Sequence, residues 1–278
     1  MNLKHILTEI EKVDPEVYER LDTRRSSLRS FSGIGKKIAL TTLPLALGGL
    51  FKKAYAQTSS LPSVVDVLNY ALTLEFLESE FYKAAVGTAG LIAASEATSF
   101  TTIRDHEVEH VAALQATITK LSGTPVSGLK FDFTAGGAFK DVFSNYDTFL
   151  AVAQTFEDTG VRAYKGQANN ANLMANNDVL SAALRIHSVE ARHASHVRYI
   201  RRIKNSDATI KGWITGNTPT IAAVAASYAG EDNITQGGVA ITSLPGASGS
   251  VSSSAATEAF DEPLTMAAVL AIVDPFIV

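Results

Sequence analysis

Cysteine is absent from all 278 residues. That excludes disulfides, thiolate-held zinc, iron–sulfur clusters and a lipidated cysteine anchor, so any metal in this chain must be held by oxygen and nitrogen. A basic excess is also missing. The formal net charge is −4, whereas a nucleic-acid surface needs concentrated positive charge, so no nucleic-acid partner is expected. A long apolar run is lacking too. The longest uncharged stretch near the N-terminus, Ile38 to Phe51, is interrupted by Pro44 and Gly48-Gly49 and is too short to cross a bilayer as a helix. With 46% hydrophobic and 19% charged residues, the remainder is rich enough to bury a good-sized core.

What is present begins with a leader-like segment. Thr23-Arg24-Arg25-Ser26-Ser27-Leu28-Arg29 precedes the short apolar run, and Lys52-Lys53 and the small-x-small site Ala54-Tyr55-Ala56 follow it. Together these read as a secretory signal over residues 1–56 and resemble the twin-arginine export motif, with Ser27 standing where an aromatic is usual and Lys36-Lys37 intruding before the apolar run. The resemblance implies export to a bacterial periplasm and no stable membrane span once the signal is removed. A short amphipathic helix on the core or a membrane surface is the alternative. The segment holds ten of the 24 basic and six of the 28 acidic residues, so the rest of the chain carries −8.

Residues 57–204 carry two copies of one pattern: Glu107-Val108-Glu109-His110 and Glu190-Ala191-Arg192-His193. On a helix, positions three apart share a face one turn apart. Each copy has a glutamate upstream within an apolar stripe, Glu75 before Glu107 and Glu157 before Glu190, at nearly equal separations. Four amphipathic helices are expected, over about Ser63–Val86, Ala94–Leu121, Asp147–Gly166 and Asp178–Arg202, each with its carboxylate or Glu-x-x-His on the apolar side. A buried lone carboxylate stays protonated or finds a cation. Four glutamates and two histidines on four helices are the ligand set of a two-metal carboxylate centre within a bundle: Glu75, Glu107, His110, Glu157, Glu190 and His193.

Other polar groups are read more plainly. Glu78 and Glu80 are expected in solvent, and Thr73 on the outer side of its helix. Glu109 and His106 are expected at the surface or behind the ligands, and His187 near the edge of the ligand face. Arg198, Arg201, Arg202 and Lys204 are read as charge favoured by the helix C-terminus. Tyr82 and Tyr164 each follow an upstream glutamate at the same spacing and either bond ligands or fill the core, core filling being the plainer reading. The halves thus read as two helix hairpins related by pseudo-twofold symmetry.

Gly123 to Asn145 lacks helical period and is long for a connection, as a bundle with one long crossover requires. Residues 205–278 turn Gly-, Ser- and Thr-rich before a short helix at Leu264–Val273, and read as a wrapping extension or a contact in a homo-oligomer.

Leu72-Thr73-Leu74-Glu75 through Phe81-Tyr82, the two Glu-x-x-His pairs, Glu157 with Tyr164, and Phe260-Asp261-Glu262-Pro263-Leu264-Thr265 resemble the ferritin-like domain family of exported bacterial proteins, which is similar to plant desiccation-related proteins. The resemblance implies an all-α, ferritin-like four-helix bundle with a long crossover between helices 2 and 3. Beyond it lie an irregular C-terminal extension and a short fifth helix. Two functions are expected from it. One is a di-metal oxidoreductase, ferroxidase-like or peroxidase/catalase-like, with two Fe or Mn ions (Zn being the other candidate) acting on Fe(II), O2 or peroxide; Glu107 and Glu190 would bridge the ions. The other is a metal-binding or protective stress protein without turnover.

Overall fold

The structure is a computed structural model that describes residues 61–219, 222–247 and 249–278. The leader-like segment and the cleavage expected after Ala56 lie outside the described residues. Four long helices dominate: α1 (Val64–Gly87), α2 (Ala97–Lys120), α3 (Tyr146–Gln167) and, after the single turn α4 (Ala171–Met174), α5 (Asn177–Asn205). Each begins where the chain supplies a stop for free backbone N–H groups, except α2. Ser63 and Asp66 form a reciprocal capping box on α1, Asn145 caps α3 and Asn176 caps α5, while Glu96 makes no side-chain cap on α2. Ser206 ends α5 in the left-handed conformation, with φ 50°.

α1 packs along α2, and α3 along α5, forming two hairpins that face each other. The irregular crossover from Leu121 to Asn145 closes one end with aromatic rings. Phe81 of α1 lies 5.0–5.6 Å, centroid to centroid, from Tyr82, Phe133, Phe143, Phe149 and Phe156. Burying each such ring is worth roughly 1.5–3 kcal/mol, with a further contribution from edge-to-face geometry. The chain's C-terminus joins the crossover: Asp132 N–H donates to Phe276 O at 2.9 Å, Val278 N–H to Lys130 O at 3.0 Å, and the rings of Phe139 and Phe276 stack.

α3 is the central helix. Every residue from Phe149 through Tyr164 is buried. One side faces the opposing hairpin; the other carries Gln154, Asp158 and Arg162, which the C-terminal extension covers. Arg162 donates to the carbonyls of Ser227, Ala229 (2.6 Å) and Glu262 (2.7 Å), and pairs with Glu231 Oε1 at 2.7 Å. Tyr228 Oη donates to Asp158 Oδ2 at 2.7 Å. The extension also crosses α3 directly, with Leu264 N–H donating to Arg162 O at 3.2 Å. A Cβ on Gly166 would overlap the Leu264 carbonyl oxygen, so this crossing requires glycine.

Arg198 and Arg201 depart from the expected helix-end role. Both are buried, Arg198 paired with Asp158 and Arg201 Nη1 2.5 Å from Gln154 Oε1. Their partners sit on another element, which the pattern along α5 does not reveal. Thr73 is likewise buried rather than outward, satisfied by donating to Asn69 O at 2.9 Å. The extension holds more structure than one short helix. A 3-10 segment spans Ala222–Tyr228, and two-residue ladders pair Thr235–Gln236 with Val239–Ala240 and Pro245–Gly246 with Gly249–Ser250. Helices α6 (Ser253–Glu258) and α7 (Met266–Val273) follow. Val269, Leu270 and Val273 of α7 share a core with Phe81, Phe149 and Phe156. Among the described residues, no helix is long and apolar enough to cross a membrane.

Candidate metal centre

The apolar stripes of the four long helices meet along the bundle axis, and each delivers its polar residue to the same place. His110 Nδ1 lies 3.1 Å from Glu75 Oε2, 3.2 Å from Glu107 Oε2 and 3.2 Å from Glu190 Oε1. His193 Nδ1 lies 2.8 Å from Glu107 Oε1, 3.4 Å from Glu157 Oε2 and 3.8 Å from Glu190 Oε2. The six residues therefore divide into two compact groups able to hold a cation: Glu75, Glu107, His110 and Glu190, and Glu107, Glu157, Glu190 and His193. Glu107 and Glu190 belong to both and present one oxygen to each histidine. Glu75 and Glu157 belong to one group each.

Their outer atoms are held in place. Tyr82 Oη donates to Glu157 Oε1 at 2.5 Å, and Tyr164 Oη donates to Glu75 Oε1. The two tyrosines thus do more than fill core. Each fixes an upstream glutamate of the opposite hairpin, leaving the second oxygen turned inward. His106, expected at the surface or behind the ligands, stacks on His193, with its Nδ1 2.9 Å from His193 Nε2. That contact engages Nε2 and leaves Nδ1 turned towards the carboxylates.

The four glutamate side chains are completely buried, and those of His193 and His110 are 5% and 12% exposed. Yet Glu107 Oε1, Glu157 Oε2, both Glu190 oxygens and His193 Nδ1 have no hydrogen-bond partner. Five buried polar atoms thus converge on one space with their hydrogen-bonding capacity unmet. Leaving a buried polar atom unsatisfied costs on the order of 1–3 kcal/mol, more for a charged group, so the cluster calls for cations. All the donors are carboxylate oxygen or imidazole nitrogen, which suits iron, manganese or zinc. The residues fit a metal centre.

The electrostatics carry the same signature. Burial pushes the Glu75 carboxyl up to about 7, against the pull of His110. Burial and the neighbouring carboxylates drive Glu190 well above the usual range, and burial also raises Glu157. Burial would raise Glu107 as well, but the two facing imidazoles overcome it and hold that carboxyl down to about 2. Burial lowers His193, and Glu157 and Glu107 outweigh it, lifting the imidazole to about 11; His110 is raised in the same way by the surrounding carboxylates. Protons take up the charge that cations would otherwise balance.

One further carboxylate lies here against expectation. Glu78, read as solvated, is 3% exposed. Burial, followed by the charges of Glu190, Glu107, Glu157 and Glu75, pushes its carboxyl well above the ordinary range. Along α1 it sits at the edge of the apolar face, so periodicity alone leaves its side undecided. The signal lay on α3, where Gly160 opens space for it: a Cβ there would stand 3.2 Å from Glu78 Oε1. Glu80 is exposed and pairs with Lys83. His187 is half-buried and stays outside the six-residue cluster, its Nδ1 unpartnered.

A model of the ferritin-like domain family matches residues 63–202, the span that contains all of these side chains. No curated protein matches the chain.

Proposed function

The chain belongs to the ferritin-like domain family, and from that premise we propose that it binds two Fe or Mn ions and uses them to oxidise Fe(II) or to consume O2 or peroxide. The single observation that carries the reading is that Glu107 and Glu190 each offer one oxygen to either histidine. Such shared carboxylates suit a pair of ions rather than one. Glu75 and His110 complete one position, Glu157 and His193 the other. When bound, the pair supplies the electrons that reduce O2 or peroxide, with Fe(II) as the reducing substrate.

The chain's own residues set the conditions. Tyr82 and Tyr164 fix the terminal carboxylates, so their inward oxygens need no reorganisation. Complete burial of the four glutamates excludes bulk water and strengthens every charge interaction inside. His110 is the most exposed of the six, at 12%. An exported, periplasmic location belongs to the same proposal and rests on the leader-like segment alone.

The test is elemental analysis of protein purified without chelator, followed by stopped-flow absorbance after adding Fe(II) with O2 or peroxide. About two Fe or Mn per chain and a fast absorbance change support the proposal. Two ions without turnover would support the stress or desiccation-related reading, in which the metal is only held. No bound metal would remove both.

A further inference from the structure

The two hairpins repeat at one fixed offset in their first helices: Glu75 answers to Glu157 and Tyr82 to Tyr164. The same offset pairs Glu78 with Gly160, and there the repeat fails. One hairpin carries a carboxylate and the other carries nothing. The two are also neighbours in space. A Cβ on Gly160 would lie 3.2 Å from Glu78 Oε1 and 3.6 Å from Glu190 Oε2, so the space left by the missing side chain is bordered by both carboxylates. Glu78 is almost wholly buried, and the charges that face it are those of Glu190, Glu107, Glu157 and Glu75. A carboxylate buried among other carboxylates is expensive unless positive charge stands near. The cluster of six beside it is where such charge would sit.

Four carboxylates and two neutral imidazoles balance two divalent ions. A fifth carboxylate adds a negative charge in a site with little water to screen it. We propose that Glu78 is a fifth carboxylate of the metal centre, admitted by Gly160 and standing behind Glu190, and that it biases the centre towards ions of higher charge, Fe(III) over Fe(II). This rests on the reading of the six residues as a two-metal site. Glu78 acts here through charge and holds no ion alone.

The experiment uses the full chain with Glu78→Gln, which keeps the shape and removes the charge, and Gly160→Ala, which keeps the charge and crowds its place. Metal content is measured after loading with Fe(II), and the midpoint potential by mediated redox titration followed in absorbance. Glu78→Gln is expected to retain two ions and to lose at least tenfold in preference for the oxidised state, an upward shift of about 59 mV per electron. Gly160→Ala shifts the same way by less. Metal-free Glu78→Gln is expected to melt higher than wild type, because one carboxyl leaves a crowd of like groups. A folded Glu78→Gln that no longer retains two ions also places Glu78 in the centre. Unchanged potentials in both variants overturn the inference, as does a lower metal-free melting temperature with an unchanged potential. A wild-type chain that takes up no iron overturns the two-metal reading itself, so the two failures are told apart.

Discussion

Tyr82 of α1 donates to Glu157 of α3 at 2.5 Å, and Tyr164 of α3 returns the contact to Glu75 of α1. The two hydrogen bonds cross between the hairpins on either side of the six-residue cluster. Each sets one oxygen of a terminal carboxylate and leaves the other facing a histidine. Hairpin association and ligand geometry are therefore one interaction.

Replacing either tyrosine by phenylalanine removes a donor and leaves a fully buried carboxylate oxygen unsatisfied. We expect Tyr82→Phe or Tyr164→Phe to cost about 1–3 kcal/mol in denaturant unfolding, and to weaken metal binding about 10–100-fold in a chelator competition titration, as loss of an outer partner typically does. Variants as stable as wild type, with unchanged affinity, would show that the contacts hold nothing in place.

His106 offers a cleaner separation of binding from folding, since it is half-exposed and its ring contacts His193 Nε2. His106→Ala removes the group that orients His193 while leaving core packing almost untouched. The expected result is a melting temperature of the metal-free protein close to wild type, and affinity for Mn(II) or Fe(II) reduced about 10–100-fold. Equal affinity would mean that His193 is oriented by its helix alone.

The pH dependence of stability has a definite sign. Glu75 is raised from an ordinary value of 4.5 to about 7, so its contribution is fully present below 4.5 and is lost as pH rises to about 7. Glu78 and Glu190, raised further, extend the loss upward. His193, raised from 6.5 to about 11, contributes fully below 6.5 and loses its contribution as pH climbs through 11. Of the six cluster residues, Glu107 runs the other way: held at about 2, its contribution is complete above 4.5 and is lost as pH falls towards 2. Metal-free protein should therefore melt at progressively lower temperature from about pH 5 to 8. Metal binding needs these groups deprotonated, so the stabilisation on adding Mn(II) should grow over the same range. Thermal melts with and without chelator check both slopes; parallel curves would contradict them.

Much of this was legible because the chemistry is local. Glu107 with His110 and Glu190 with His193 are spaced for one helix face, and apolar periodicity around Glu75 and Glu157 placed those carboxylates inward. The helices end within a few residues of where caps such as Ser63 and Asn145 lie. What the chain alone concealed depends on a second element. Arg198 reads as charge favoured by the helix C-terminus until Asp158, distant from it along the chain and itself bonded by Tyr228, is set against it. Glu78 reads as solvated until Gly160 opens a place for it. His106 lies off the ligand face of α2, and only the approach of α5 brings His193 to it.

Arg162 anchors the extension to α3 with hydrogen bonds to three carbonyls and an ion pair to Glu231. Arg162→Ala removes the cation from that carboxylate, whose burial already pushes it up to about 7, and the donor from three carbonyl oxygens. Breaking one side of a buried pair costs about 3–5 kcal/mol. We expect a loss of that size in equilibrium unfolding and faster proteolytic cutting between residues 206 and 262. A variant with wild-type resistance would show that the remaining contacts of α7 suffice.

Gly166 supplies the last prediction, because two principles oppose each other there. In an exposed helical position, glycine to alanine stabilises by up to about 1 kcal/mol through reduced backbone freedom in the unfolded chain. At 166 the added methyl would overlap the Leu264 carbonyl oxygen, which is backbone and cannot rotate away as a side chain could. The Leu264 N–H bond to Arg162 O ties that strand of the extension down on the same helical turn. Steric overlap should therefore win. Gly166→Ala is expected to destabilise by about 1–3 kcal/mol, the range for overpacking, and to raise proteolytic sensitivity in residues 206–262 as Arg162→Ala does. The six-residue cluster lies on the opposite side of α3, so metal content should remain that of wild type. Denaturant unfolding decides the sign: a variant more stable than wild type would mean that the extension does not cross α3 at this glycine.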